Sequence, residues 1–178
     1  GDLINLDFQD DQLNKINVTG DARGEFNPEP NNSNIDSIIT YTSDEIDYFL
    51  NSQESYLGKN GDIKYQNMML EANYIHVDWM NNILDAVKKF DKYPTVITSG
   101  GEPMQGDSLR YNLLDKQGTI YKGKTKVDNA YYHGDKIYRD DPNLVHVISS
   151  QYTSCDLEHP HYSFYSDNMK MIPGDRII

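Results

Sequence analysis

Apolar and polar residues alternate along much of this chain. In Ile75-His76-Val77-Asp78-Trp79, Leu109-Arg110-Tyr111-Asn112-Leu113 and Met169-Lys170-Met171, every second side chain is large and apolar. That is the period of a strand with one dry face. Further strands are predicted at Ile39-Thr40-Tyr41, Asp62-Ile63-Lys64-Tyr65, Thr95-Val96-Ile97-Thr98, Gly118-Thr119-Ile120-Tyr121 and Leu144-Val145-His146-Val147-Ile148. Turn residues separate them, in Lys59-Asn60-Gly61, Ser99-Gly100-Gly101, Asp128-Asn129 and Asp140-Asp141-Pro142-Asn143. Only 79–89 approaches helical spacing, through Met80, Ile83, Leu84 and Val87. Asn81-Asn82 makes a turn inside that stretch, and the expectation is turn followed by strand. Pro28 and Pro30, with Asn31, Asn32 and Asn34, predict a loop that sets an N-terminal strand pair apart. The fold class this predicts is all-β.

A second pattern overlies the first. Ala72-Asn73-Tyr74-Ile75, Gly106-Asp107-Ser108-Leu109, Gly134-Asp135-Lys136-Ile137 and Ser166-Asp167-Asn168-Met169 share an order: small residue, Asp or Asn, any residue, large apolar residue. Ser43-Asp44-Glu45-Ile46 is a looser copy. The unequal spacing, with the Asp or Asn at 44, 73, 107, 135 and 167, indicates one structural unit repeated with loops of different length. The Asp/Asn series could be a ladder of calcium ligands. One such residue per repeat is too sparse for that, and the small residue before it points to a bend entering a strand.

Composition narrows the possibilities. Hydrophobic residues make up 37% of the 178, with 14 tyrosines, and mean hydropathy is -0.74. That is lean for one spherical core and suits a long, narrow domain spanning 1–178. A net charge of -12 argues against a nucleic-acid partner, which needs clustered Lys and Arg, and against docking on anionic lipid. No apolar run approaches the ~20 residues of a membrane-spanning helix. No signal peptide opens the chain, and Gly1-Asp2 reads as a trimmed start. The one cysteine, Cys155, excludes an internal disulfide framework. His159 and His161 lie near it and could form a metal site, but no fourth ligand is evident. His76, His133 and His146 read as solvent-side residues.

The last third carries a more specific signal. Tyr152-Thr153-Ser154-Cys155, followed by Asp156-Leu157-Glu158-His159-Pro160-His161-Tyr162-Ser163-Phe164, resembles the segment closing the periplasmic domain of the LptD family of outer-membrane lipopolysaccharide-assembly proteins. Met169-Lys170-Met171-Ile172-Pro173-Gly174-Asp175-Arg176 is similar to that family's final strand and turn before its membrane barrel. The repeats look like the OstA-type units shared with LptA and LptC.

The resemblance implies an elongated open β-jellyroll (a β-taco) whose strands bend into a V around an apolar groove. It implies transport of lipopolysaccharide acyl chains, without cofactor, metal or covalent chemistry, at the periplasmic face of the outer membrane. The implied partners are lipopolysaccharide, an LptA-like bridge protein docked by edge-strand addition, the barrel, and its LptE-like plug lipoprotein. Groove residues are then expected among the alternating apolar positions: Ile46, Ile63, Ile75, Val77, Ile97, Leu109, Tyr111, Ile120, Ile137, Val145, Val147, Phe164, Met169 and Met171. The alternation alone leaves open that these form a closed sandwich core.

Cys155 matches the family cysteine that bonds to a cysteine of the barrel. With one cysteine in the chain, a two-disulfide arrangement does not fit. A soluble periplasmic OstA/LptA-like bridge protein stays open as an alternative. So does a polysaccharide-acting β-fold enzyme using paired carboxylates, although no Gly-x-Ser-x-Gly elbow or phosphate loop is present.

Overall fold

The computed structural model describes residues 1–28, 35–98, 102–127, 130–141, 144–157, 159–172 and 176–177. The loop expected at Pro30–Asn34 and the turns at 99–101, 128–129, 142–143 and 173–175 lie outside them. The described residues form 14 strands and no helix. They are β1 (Leu3–Gln9), β2 (Gln12–Phe26), β3 (Ile39–Phe49), β4 (Glu54–Tyr65), β5 (Met68–Asp78), β6 (Ile83–Val87), β7 (Thr95–Thr98), β8 (Met104–Gln105), β9 (Ser108–Asn112), β10 (Gln117–Val127), β11 (Ala130–Asp141), β12 (Leu144–Thr153), β13 (Phe164–Ile172) and β14 (Arg176–Ile177). All pairings are antiparallel, in the order β1-β2-β3-β4-β5-β6-β9-β10-β11-β12-β13-β14, with β7 and β8 bridging β5 to β10 on a side path. The stretch 79–89 resolves into a turn and then β6, where Leu84 and Ala86 are buried while Met80 and Val87 are exposed.

The long strands bend at mid-length. Register breaks fall between Thr19 and Ala22, Thr42 and Glu45, and Gly58 and Gly61. Asp21, Lys59 and Asn60 take positive φ at these corners, and Lys122 and Ser149 do so within β10 and β12, as bulged residues do. The repeated small-Asp/Asn pairs are the same corners seen from alternate strands. Ser43, Ala72, Gly106 and Gly134 sit buried on the inside of the bend, and Asp44 and Asp135 are exposed on the outside. A bulge strands carbonyls without ladder partners, and a buried hydroxyl can satisfy them. The Ser43 hydroxyl donates to the carbonyls of Gly58 (2.8 Å) and Lys59 (2.9 Å), and Ser150 donates to that of Ser166 at 2.9 Å.

Bending turns one ladder into two facing leaves. In the first leaf a single inward row runs Ile4, Val18, Ile46, Leu57, Ile75, Ala86, Leu109, Ile120, Ile137, Val147, Met169, each residue paired with the next. The neighbouring outward row is polar: Asn17, Asp47, Tyr56, His76, Asp85, Arg110, Thr119, Tyr138, His146, Lys170. The inward row of the second leaf runs Gly24, Tyr41, Ile63, Leu70, Val96, Met104, Thr125, Tyr132, Tyr152, Phe164. Most inward residues join one buried apolar cluster, and each large side chain fully withdrawn from water contributes about 1.5–3 kcal/mol.

Candidate functional site

The space between the leaves changes character along the molecule. Towards the N-terminus it is filled. Ile39, Leu57, Ile63, Leu70, Ile75, Val77, Leu84 and Leu113 are fully buried there. Trp79, just after β5, stacks on Phe26 at the far end of β2, with ring centroids 4.5 Å apart and planes at 11°. Its indole Nε1 donates to the buried Ser55 hydroxyl at 2.8 Å, and Tyr41 leans on the same ring. Phe26 lies on the second leaf and Trp79 follows the first, so this stack clasps the mouth of the V.

A polar latch follows the clasp. Asp36 accepts from Lys116 Nζ (2.9 Å) and the Tyr65 hydroxyl (3.3 Å), and from the Gln66 side chain. These bonds tie segment 35–38 to the β4–β5 and β9–β10 turns. The Lys116 ammonium, by its hydrogen bond, holds the Asp36 carboxyl down at about 2 against an ordinary 3.8.

Beyond the latch the leaves part around a cavity of about 450 Å³, within the usual range for small-ligand sites. Met68, Val96 and Met104 of the second leaf and Leu109, Ile120, Ile137 and Val145 of the first give it apolar walls. Tyr111 stands over Gly118, where an added Cβ would meet its ring at 3.1 Å. Burial pushes the Tyr111 hydroxyl up to about 12. Gln66, Asn67, Asp115, Lys116, Gln117 and Arg139 form a polar rim. Such a site holds an apolar body by shape and gathers its charged groups at its edge.

Of the positions expected in a groove, Leu109, Tyr111, Ile120, Ile137 and Val145 come together in this cavity. Ile46, Ile63, Ile75 and Val77 lie in the filled part, and Val147 and Met171 are buried nearer the C-terminal end. Met169 is partly buried against the cluster. Ile97 is out of phase: Val96 and Thr98 line the cavity, so Ile97, between them in an alternating strand, faces outward. Phe164 is 65% exposed at the end of the second leaf's row. Sequence reasoning did not select Met68, Val96, Met104 or Arg139. Val96 and Met104 lie in very short strands, where period two is poorly sampled.

The Tyr152–Phe164 block forms the end of β12, a loop, and the start of β13. Buried Thr153 staples it, its hydroxyl donating to the Tyr162 carbonyl (2.8 Å) and accepting from the Cys155 amide (3.1 Å). The half-buried Cys155 Sγ lies 3.6 Å from His161 Nδ1. Among the described residues no three His, Cys, Asp or Glu side chains converge as metal ligands. His133 is held below its usual range by burial and by nearby Lys124.

A solved structure shares this architecture: LptH from Pseudomonas aeruginosa, described as the LptA homologous periplasmic component of a lipopolysaccharide transport device. It matches with a TM-score of 0.54 and 12% identity, over 75% of this chain and 97% of that one. The fold is the LptA-like β-jellyroll. The sequence of this jellyroll is 27% identical over 122 residues, 66% of the chain, to the LPS-assembly protein LptD of Hahella chejuensis. The chain is thus a distant homologue of LptD over that stretch, folded as an LptA-like β-jellyroll. It spans only 15% of that relative's length. No family model matches the jellyroll.

Proposed function

We propose that this jellyroll carries the acyl chains of lipopolysaccharide between its leaves, at the periplasmic face of the outer membrane, from an LptA-like bridge to an outer-membrane barrel. The observation that carries the reading is the apolar cavity between the leaves, walled by Leu109, Ile120 and Ile137 of a continuous inward row whose N-terminal stretch is filled by side chains. Each methylene taken from water contributes about 0.8 kcal/mol wherever it lies along such a row. A chain can therefore slide without meeting a deep minimum, which transport requires and catalysis does not.

Both ends suit serial assembly. β1 is an edge strand with Leu3, Ile4, Leu6 and Phe8 more than half exposed. At the other end Phe164 and Tyr165 are exposed at 65% and 77%. Edge strands with apolar side chains are templates for strand addition, so the bridge docks at one end and the barrel with its LptE-like plug lies beyond the other. In this reading Cys155 forms its disulfide with the barrel. The similarity to LptD favours this role over that of a free-standing bridge.

The test is photocrosslinking to lipopolysaccharide. A crosslinking side chain at Tyr111 or Met171 should give adducts, and one at Arg110, Asn112 or Lys170 on the outer face should not. Val77, fully buried behind the clasp, should stay unlabelled until the clasp opens. Equal labelling of inward and outward positions would mean that lipid merely coats the surface, and the groove reading would fall.

A further inference from the structure

The cavity has a chemically distinct mouth. Arg139 lies two positions beyond the inward-facing Ile137 on β11, and so on the same face of the strand. It lines the cavity and is partly buried. Its strand partner Val145 lines the same cavity. Among the described residues no carboxylate forms an ion pair with Arg139. Arg110, on the outer face, instead sits in a two-pronged contact with Asp85 at 2.7 and 2.8 Å. Lys116 stands on the same rim, its ammonium shared with the half-exposed Asp36.

A chain with a net charge of -12 thus places two cations, Lys116 and Arg139, against one carboxylate, Asp115, at the rim of its apolar cavity. A guanidinium there does nothing for an apolar tail and costs desolvation if it faces no anion. It matches an anionic oxygen group through paired N–H donors. We propose that the cavity is a head-discriminating site for anionic amphiphiles, Arg139 binding the head group and Lys116 exchanging Asp36 for it, while the tail lies against Leu109, Ile120 and Val145. The proposal rests on the groove reading and adds what that reading does not need, a preference for the charge at the end of the chain.

The experiment is displacement of a fluorescent fatty-acid probe from the 178-residue chain by three ligands with the same twelve-carbon tail, each below its micelle concentration: dodecyl phosphate, laurate and dodecyl maltoside. Charge-assisted hydrogen bonds to a partly buried arginine predict that dodecyl phosphate displaces at about tenfold lower concentration than the maltoside. Laurate should behave like the phosphate if one anionic group suffices, and fall between if a second charge engages Lys116. Arg139→Gln should bring the anionic and neutral ligands to within about twofold, Arg139→Lys should recover part of the gap, and Arg110→Gln should leave it unchanged. Equal displacement by phosphate and maltoside in the unmodified chain overturns the proposal but leaves chain binding standing. Failure of the probe and every ligand to bind removes the groove reading itself, and the proposal with it.

Discussion

Single residues at the corners decide how tightly the strands can bend. A Cβ added at Gly106 would lie 2.4 Å from Ile120 Cγ2 and 2.6 Å from the Tyr121 carbonyl oxygen, whereas one at Gly58 meets nothing nearer than 4.0 Å. The first clash involves backbone and cannot be relieved by a rotamer change. Gly106→Ala should therefore cost about 1–3 kcal/mol, and Gly58→Ala should be neutral or slightly stabilising; urea unfolding midpoints separate the two. Asp36 gives a pH signature at the same scale. Its folded pKa, about 2, lies below the ordinary 3.8, so its contribution is full above about pH 4 and is lost as pH falls towards 2. The urea midpoints of the unmodified chain and Asp36→Asn should differ at pH 6 and converge near pH 2. A constant difference over that range would mean that the carboxylate's charge is irrelevant to the latch.

At the scale of elements, the sequence shows period two plainly, because one missed residue would reverse the face of a whole strand. Hence Ile46, Ile75, Leu109, Ile120, Ile137 and Met169, named from alternation and repeat, occupy one row. The corners were legible too, since a small residue followed by Asp or Asn suits only the inside and outside of a bend. The boundary between filled and open stretches was not legible. It depends on Phe26 meeting Trp79 and on Asp36 meeting Lys116, pairs too far apart in sequence for any local pattern to join. Ile97 shows a different limit: in Thr-Val-Ile-Thr both central residues are apolar, and only the register distinguishes them.

The clasp itself is testable. Trp79 is the only tryptophan, so its fluorescence reports on the filled end alone. Trp79→Ala removes a nearly buried ring and leaves the Ser55 hydroxyl without its donor, a loss of about 3–5 kcal/mol. The same variant should extend the open space towards the N-terminus and make Val77 available to a lipid crosslinker. An unfolding midpoint unchanged within error would show that the stack is incidental.

Charge acts at the scale of the whole molecule. The chain carries -12, so an anionic amphiphile approaches against a repulsive field, while the cationic rim acts only at contact. The two effects have different ranges. Surface repulsion is screened as the Debye length falls from roughly 30 Å at ~0.01 M salt to roughly 8 Å at ~0.15 M. The partly buried Arg139 contact is screened far less, because little electrolyte penetrates between the paired groups. Added salt should therefore speed dodecyl phosphate association severalfold and leave its dissociation nearly constant, so that affinity rises with ionic strength. That is the reverse of binding driven by an exposed basic patch. Dodecyl maltoside should show no such trend. Stopped-flow measurement of both ligands across this range makes the comparison. Affinity for the phosphate that falls with salt would place its anion on exposed lysines instead of at the mouth of the cavity.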